Sequence, residues 1–197
     1  MAKNVNFKQM EKKQKKPDIS KIFSKIEKKW QKRWEEARIF EAEPIEGKKK
    51  FFMIFAYPGI SGYLHVGHMR GYTYTDVITR YKRMRGFNVL FAVGTHATGN
   101  LAITFLKKVK NADKEWIRYL KTNGATDADL KKMTSPEKVV EFFNNVFINS
   151  YWKKFGFLAD WRRFICTINP DYQKFIEWQF KKLNQKKLLI KKPYYAT

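Results

Sequence analysis

Two histidines three residues apart, His65 and His68, close the segment FFMIFAYPGISGYLHVGH that runs from Phe51 to His68. An imidazole can donate a hydrogen bond, act as a base or ligate a metal. Set at the start of a helix, a pair of imidazoles adds N–H donors to unpaired backbone N–H groups and a partial positive charge, which together make an anion site suited to phosphate. Such donors strengthen as charge builds on a phosphate oxygen in a transition state. Gly67, between them, lets the backbone approach a flat ligand such as a nucleobase. Metal binding fits less well. His-x-x-His is half of a zinc set, only His96 and Cys166 remain to complete it, and neither stands at a customary ligand spacing. No metal is expected. On the residues alone, a glycine-rich turn carrying incidental surface histidines stays open beside the phosphate reading.

A strand and a helix must present these side chains. Phe51 to Ala56 is a continuous apolar run without alternation, as in a strand buried on both faces of a parallel sheet, and Pro58, Gly59 and Gly62 stop it. From Val66 to Arg85, Val66, Tyr74, Val77, Ile78, Tyr81 and Met84 recur at helical spacing, with Gly86 as the C-terminal cap. A second apolar run, Phe87 to Val93, completes a βαβ unit. Parallel strands end at the same edge, so Ala56 to Gly62 and Gly94 to Gly99 should face one crevice, where open α/β sheets bind ligands. That brings His96, in GTHATG, toward His65 and His68.

Around this unit the organisation is as follows. Residues 1–17 are polar and strongly basic and read as a disordered arm. After Asp18, Ile19, Ile22, Ile26, Trp30, Trp34 and Ala37 keep helical spacing to about Phe40, which makes 18–44 an N-terminal helical appendage with a lysine-rich outer face. Residues 45–197 form the main α/β domain, and within it 100–133 reads as a connecting insertion with helical patterns at Leu101 to Val109 and Lys114 to Lys121. Thr134-Ser135-Pro136-Glu137 signals a helix start, capped by Thr134 or by Ser135 with Pro136 in the first turn. The stripe Val139, Phe142, Phe143, Val146, Phe147, Ser150 and Tyr151 then reads as core until Gly156. A polar and aromatic turn spans Gly156 to Arg163, Pro170-Asp171 opens a last helix, and Leu188 to Ile190 is a third strand candidate.

The chain has 197 residues, 44% hydrophobic and 17% aromatic, enough to bury a core. Its 41 Lys and Arg against 18 Asp and Glu give a net charge of +23, which implies a polyanionic partner, RNA or an anionic surface. No apolar run approaches the roughly 20 residues that cross a bilayer, and MAKNVNFKQMEKKQKK lacks the apolar centre of a signal peptide, so no membrane association and a cytoplasmic location are expected. A single cysteine, Cys166, excludes an intrachain disulfide.

Several segments, in order, resemble the N-terminal catalytic region of class I aminoacyl-tRNA synthetases, and most closely the archaeal-type leucyl enzymes. KKWQKRWEEARIFEA is similar to the family's opening helix, AYPGISGYLHVGH to its first signature, and DVITRYKRMRGFNVLFAVGTHATG to the helix and strand that follow. GFLADWRRFICTINPDYQKFIEWQFKKL resembles the segment before the editing insertion, and the likeness spans about Ile26 to Lys192. Small nucleotidyltransferases share a His-x-Gly-His turn but lack the two longer segments.

The resemblance implies the first half of a Rossmann-like parallel sheet, an HUP-type nucleotide-binding fold, with an N-terminal helix and a helical insertion. It implies that ATP, as its Mg2+ complex, binds at His65, Gly67 and His68, the histidines acting catalytically on the triphosphate while a leucine carboxylate attacks the α-phosphate. Tyr57, Ser61 and His96 take the family's amino-acid-binding positions, followed by Thr98 and Gly99. The aminoacyl group then passes to the leucine acceptor tRNA. Three departures stand out. Gly59 replaces a common aromatic residue and Thr95 a usual tryptophan, and no KMSKS-like lysine loop is present. The expectation is therefore a catalytic part that needs a second subunit or the missing C-terminal portion of the enzyme. Valine or isoleucine specificity, and a non-catalytic basic RNA-binding module, are the alternatives.

Overall fold

The computed structural model describes residues 18–193, so the expected arm at 1–17 lies outside the described residues. The chain divides into two compact units, one ending at Ala37 and one starting at Arg38. In the first, α1 (Ile19–Glu36) is capped by Asp18, whose carboxylate accepts the Lys21 N–H. It ends earlier than the spacing predicts, because Arg38 takes a left-handed φ of 50° and breaks the helical path.

The second unit is α/β with parallel strands, as expected. It opens with β1 (Lys50–Met53), α2 (Val66–Met84) and β2 (Asn88–Phe91), and β1 pairs with β2 in parallel, Phe51 opposite Val89. Ala92 and Val93 lead into β3 (Gly94–Thr95), which pairs in parallel with β4 (Ile165–Cys166). Three helices follow, α3 (Leu101–Lys110), α4 (Lys114–Thr122) and α5 (Asp127–Lys132). Then come α6 (Pro136–Asn145), a π-helical continuation (Val146–Trp152), a 3₁₀ turn (Trp161–Arg163), β4 and α7 (Pro170–Gln185). Of the two helix starts offered by the sequence, Ser135 is the cap of α6: its side chain accepts the Lys138 N–H, with Pro136 in the first turn. Phe91, Val93, Phe143, Phe147 and Trp152 are at most 1% exposed and form the centre of the core. No described helix is long and apolar enough to cross a membrane.

Three expectations need correction. Phe51 to Ala56 is not buried on both faces: the strand is Lys50–Met53, and Phe52 and Ile54 stay exposed. The reason is that β1 has β2 as its only strand neighbour among the described residues, and only its Phe51 side is covered, by Phe87 and the Lys82 ammonium of α2. Leu188 to Ile190 is not a strand. Both end residues are exposed, and the Leu188 N–H instead closes the end of α7 on the Leu183 carbonyl. A further strand, β4, lies just after the turn read at Gly156 to Arg163, where the sequence offered none. Finally, the apolar stripe of α2 is real but faces outward. Val66, Tyr74, Val77, Ile78, Tyr81 and Met84 are exposed, while Met69, Tyr72, Thr75, Asp76 and Thr79 are buried. The two threonines can sit inside because each donates its hydroxyl to a carbonyl of its own helix, Thr75 to Gly71 and Thr79 to Asp76.

Candidate active site

The C-terminal ends of the strands converge as the topology demands. Beyond β1 and β3 the chain forms a further parallel bridge between Gly59 and His96: the His96 N–H donates to the Pro58 carbonyl at 2.9 Å and the Ile60 N–H to the His96 carbonyl at 3.1 Å. The loop that carries the first signature is thus stitched to the loop that carries His96. Its other side is tied to α4. The Tyr63 N–H donates to the Tyr119 hydroxyl and the Tyr63 hydroxyl to the Leu120 carbonyl, both near 3 Å. Burial, with Tyr119, Tyr151 and Asp129 adding to it, pushes the Tyr63 phenol up to about 12, so it stays a neutral donor.

His65 is the N-cap of α2, in extended conformation, and His68 stands in its first turn. Their rings lie 4.0 Å apart between centroids. The His65 N–H points at His68 Nδ1 over 3.4 Å, so Nδ1 is the acceptor and a neutral His68 carries its proton on Nε2. Burial, then the neighbouring His65, lowers the His68 pKa and keeps that ring neutral near pH 7. The arrangement offers a neutral N–H donor beside a helix start whose first residues, Val66 and Gly67, are exposed. Behind it, His68 leans on Tyr72, and Tyr72 stacks on Phe55 at 4.0 Å.

Gly67 has a second reason to be glycine. A Cβ there would stand 3.1 Å from the His65 ring, tight enough to press it away from the helix start. Gly94 is more constrained still: a Cβ would fall 2.5 Å from the Ile165 carbonyl oxygen and 2.8 Å from the Tyr57 ring. Tyr57 therefore packs against bare backbone of β3. It is half-buried, and burial, then Tyr172 at the start of α7, raises its pKa.

The expected residues are brought together unequally. His65 and His68 touch, His96 reaches the signature loop through its backbone, and Tyr57 packs on the strand before His96. Ser61 stays exposed on the loop, and the His96 ring is exposed with Thr98 Oγ1 3.1 Å from its Nε2. Gly59 has open space where a side chain would stand. Thr95 is fully buried and its hydroxyl donates to Asn144 Oδ1 at 2.7 Å, so the smaller residue is held by the helix behind it. Among the described residues no three of His, Cys, Asp and Glu converge as a metal set.

Two buried carboxylates were not read as important from the sequence. Asp160 is fully buried and accepts from the Ala42 N–H and from Arg162, and Asp76 accepts from the Leu158 N–H and from Arg80. The signal for Asp76 was present as its i,i+4 spacing to Arg80. For Asp160 the adjacent Arg162 and Arg163 were the local signal, but its backbone partner Ala42 is 118 residues away.

Comparison with known proteins agrees with this geometry. Residues 29–195 match the family model described as tRNA synthetases class I (I, L, M and V). The chain is 44% identical over 188 residues to the leucine-tRNA ligase of Methanocaldococcus jannaschii, covering 95% of this chain and 18% of that protein. It is 44% identical over 158 residues to the leucine-tRNA ligase of Archaeoglobus fulgidus, covering 80% and 17%. The structure is similar to that of the Agrobacterium radiobacter K84 LeuRS in a ternary complex with tRNA and LeuAMS, with a TM-score of 0.56 and 26% identity over 82% of this chain and 18% of that one. The chain thus spans less than a fifth of the length of these relatives. With the signature histidines at a helix start, parallel strands ending in one crevice and a family match over most of its length, the chain belongs to the class I tRNA synthetases of the I, L, M and V group.

Proposed function

We propose that this chain supplies the nucleotide-binding half of a leucyl-tRNA synthetase active site, which activates leucine with ATP and passes it to tRNA(Leu). One observation carries the reading: a paired-imidazole cap on an open helix start, at the edge where parallel strands end, in a chain of this family. The residues suit a triphosphate. The first residues of α2, Val66 and Gly67, are exposed, His68 offers a neutral Nε2–H, and Gly67 leaves the backbone bare for adenine. ATP, accompanied by Mg2+, supplies the electrophilic α-phosphorus. His65 and His68 then hold phosphate oxygens as charge develops, with no proton transfer required of them.

In the same reading Tyr57, Ser61 and His96 hold the leucine, and the helices at 100–133 form the connecting insertion. The arm at 1–17 and the positive surface serve tRNA, and the setting is the cytoplasm, where charged tRNA is used. A KMSKS-like lysine loop comes from another polypeptide or from the remaining portion of the enzyme. Leucine-dependent ATP–pyrophosphate exchange by this chain, reconstituted with the remaining portion of an archaeal leucine-tRNA ligase, tests the reading. Loss of exchange in His68→Ala supports it, and full exchange in that variant removes the phosphate role. The open space at Gly59 favours running valine and isoleucine beside leucine, because one methylene discriminates by only about 1 to 3 kcal/mol.

A further inference from the structure

The first turn of α2 carries the site, and beside it the buried Met69 and Tyr72 hold the helix by packing. The loop before it includes Gly62 at φ 137°, and the apolar stripe of α2 faces outward. Inside, Met69 and Tyr72 make apolar contacts near the site, and beyond them the buried face is small and polar: Thr75, Asp76 and Thr79. Apolar contacts of that kind permit sliding, whereas charge-assisted hydrogen bonds fix direction and distance. Such bonds are gathered in one place. Asp76, Arg80 and Arg83 lie at i, i+4 and i+7, on one face of α2, and all three grip the same turn of chain. The Leu158 N–H donates to Asp76 Oδ1 at 2.8 Å. Arg80 donates through Nε to Asp76 Oδ2 at 2.6 Å and through Nη2 to the Gly156 carbonyl. Arg83 Nη2 donates to the Leu158 carbonyl at 2.8 Å.

That turn is itself anchored to the sheet and to the start of the unit. The Asp160 N–H donates to the Phe91 carbonyl at the end of β2, and the Asp160 carboxylate accepts the Ala42 N–H. We propose that Asp76, Arg80 and Arg83 act as positioning residues, a clamp that sets the axial position and rotation of α2 and so aims His65 and His68. From Asp76 to His68 is eight residues, about 12 Å of continuous helix, which transmits a displacement at the clamp to the first turn. A second hold on the same helix, Tyr72 stacked between His68 and Phe55, limits tilt near the site and leaves slide and rotation to the clamp.

The geometric claim stands apart from the synthetase reading, while its catalytic consequence rests on that reading, and one experiment separates them. The chain has three histidines, so imidazole resonances of the full 197-residue protein resolve residue by residue in a long-range ¹H–¹⁵N spectrum. Asp76→Asn keeps an acceptor for the Leu158 N–H and loses the charge on Arg80; Asp76→Ala loses both. The expected result is a graded movement of the His65 and His68 signals, larger in Asp76→Ala, with the His96 signal, bridged to Pro58 and Ile60, unmoved. Titration with ATP should then show at least tenfold weaker binding in Asp76→Ala. If the variants melt earlier but leave His65 and His68 at their wild-type positions, the clamp is merely structural and the proposal is overturned. Should Asp76→Ala fail to fold, Arg80→Gln, a partly exposed residue, carries the same test. Moved histidine signals in a chain that as wild type binds no ATP, even when reconstituted with the remaining portion of the enzyme, would uphold the clamp and refute the nucleotide reading.

Discussion

Gly94→Ala is the substitution for which the structure sets the outcome most tightly. The added methyl would stand 2.5 Å from the Ile165 carbonyl oxygen, about an ångström inside ordinary contact, and 2.8 Å from the Tyr57 ring. The ring can turn away; the carbonyl cannot do so freely, because Gly94 and Ile165 are paired in the β3–β4 ladder and the Ile165 N–H is bound to the Val93 carbonyl. Overpacking of this kind costs about 1 to 3 kcal/mol, and a backbone obstacle places this case near the upper figure. For a domain of this size that lowers Tm by roughly 5 to 10 °C. The assay is thermal and urea unfolding of the full chain, with Gly59→Ala as its control. Gly59 is also at the strand ends but has nothing within 4 Å and no positive φ, so alanine there should be neutral or slightly stabilising. If Gly94→Ala unfolds within about 0.5 kcal/mol of wild type, the close approach of β3, β4 and Tyr57 is wrong, and with it the placement of Tyr57 in the crevice.

Other outcomes follow from the same residues. His68→Ala should cost about 3 kcal/mol of transition-state stabilisation, a loss of roughly 100-fold in kcat for pyrophosphate exchange by the reconstituted enzyme. An NMR titration should find His68 with a midpoint below the ordinary histidine value of 6.5 and, when neutral, with its proton on Nε2. Because that pKa is lowered in the folded state, the folded protein resists protonation, and stability should fall as pH drops below the unfolded value; a midpoint above 6.5 contradicts this. For Asp160, burial pushes the carboxyl up, but hydrogen bonds from Arg162 and the Ala42 N–H, and the Arg162 charge, outweigh it and hold the pKa below the usual 3.8. Its contribution is then complete above about pH 5 and lost as pH falls through the folded value, so Asp160→Asn should flatten the acid limb of stability measured by urea melts. Ser135→Ala removes the cap of α6 and should cost about 1 kcal/mol in the same assay.

The local grammar of the chain was readable where one residue type has one job. Gly86 stops α2 because its φ of 81° lets the Phe87 N–H reach the Lys82 carbonyl and its own N–H the Arg83 carbonyl. The parallel βαβ unit, the core stripe through Val139, Phe143 and Phe147, and the histidines at a helix start follow from periodicity and turn chemistry in the same way. What the sequence hid was decided by partners far along the chain. An apolar face says that a helix has something to cover, not which side this chain covers, so α2 lies with its threonines inward. β4 has two residues and owes its existence to the ladder with Gly94 and Thr95. Asp160 looks like any turn aspartate until Ala42 and the two arginines surround it.

The outward stripe of α2 has a colloidal consequence. Tyr74, Val77, Ile78 and Tyr81 present an apolar strip on a molecule of net charge +23. At low ionic strength, mutual repulsion holds such molecules apart and the strip never meets another. Raising salt to 1 M shrinks the screening length to about 3 Å while apolar attraction persists, so the same strip becomes adhesive. The chain is thus a protein whose solubility should fall with added sodium chloride, as screening removes the repulsion that keeps the strips apart.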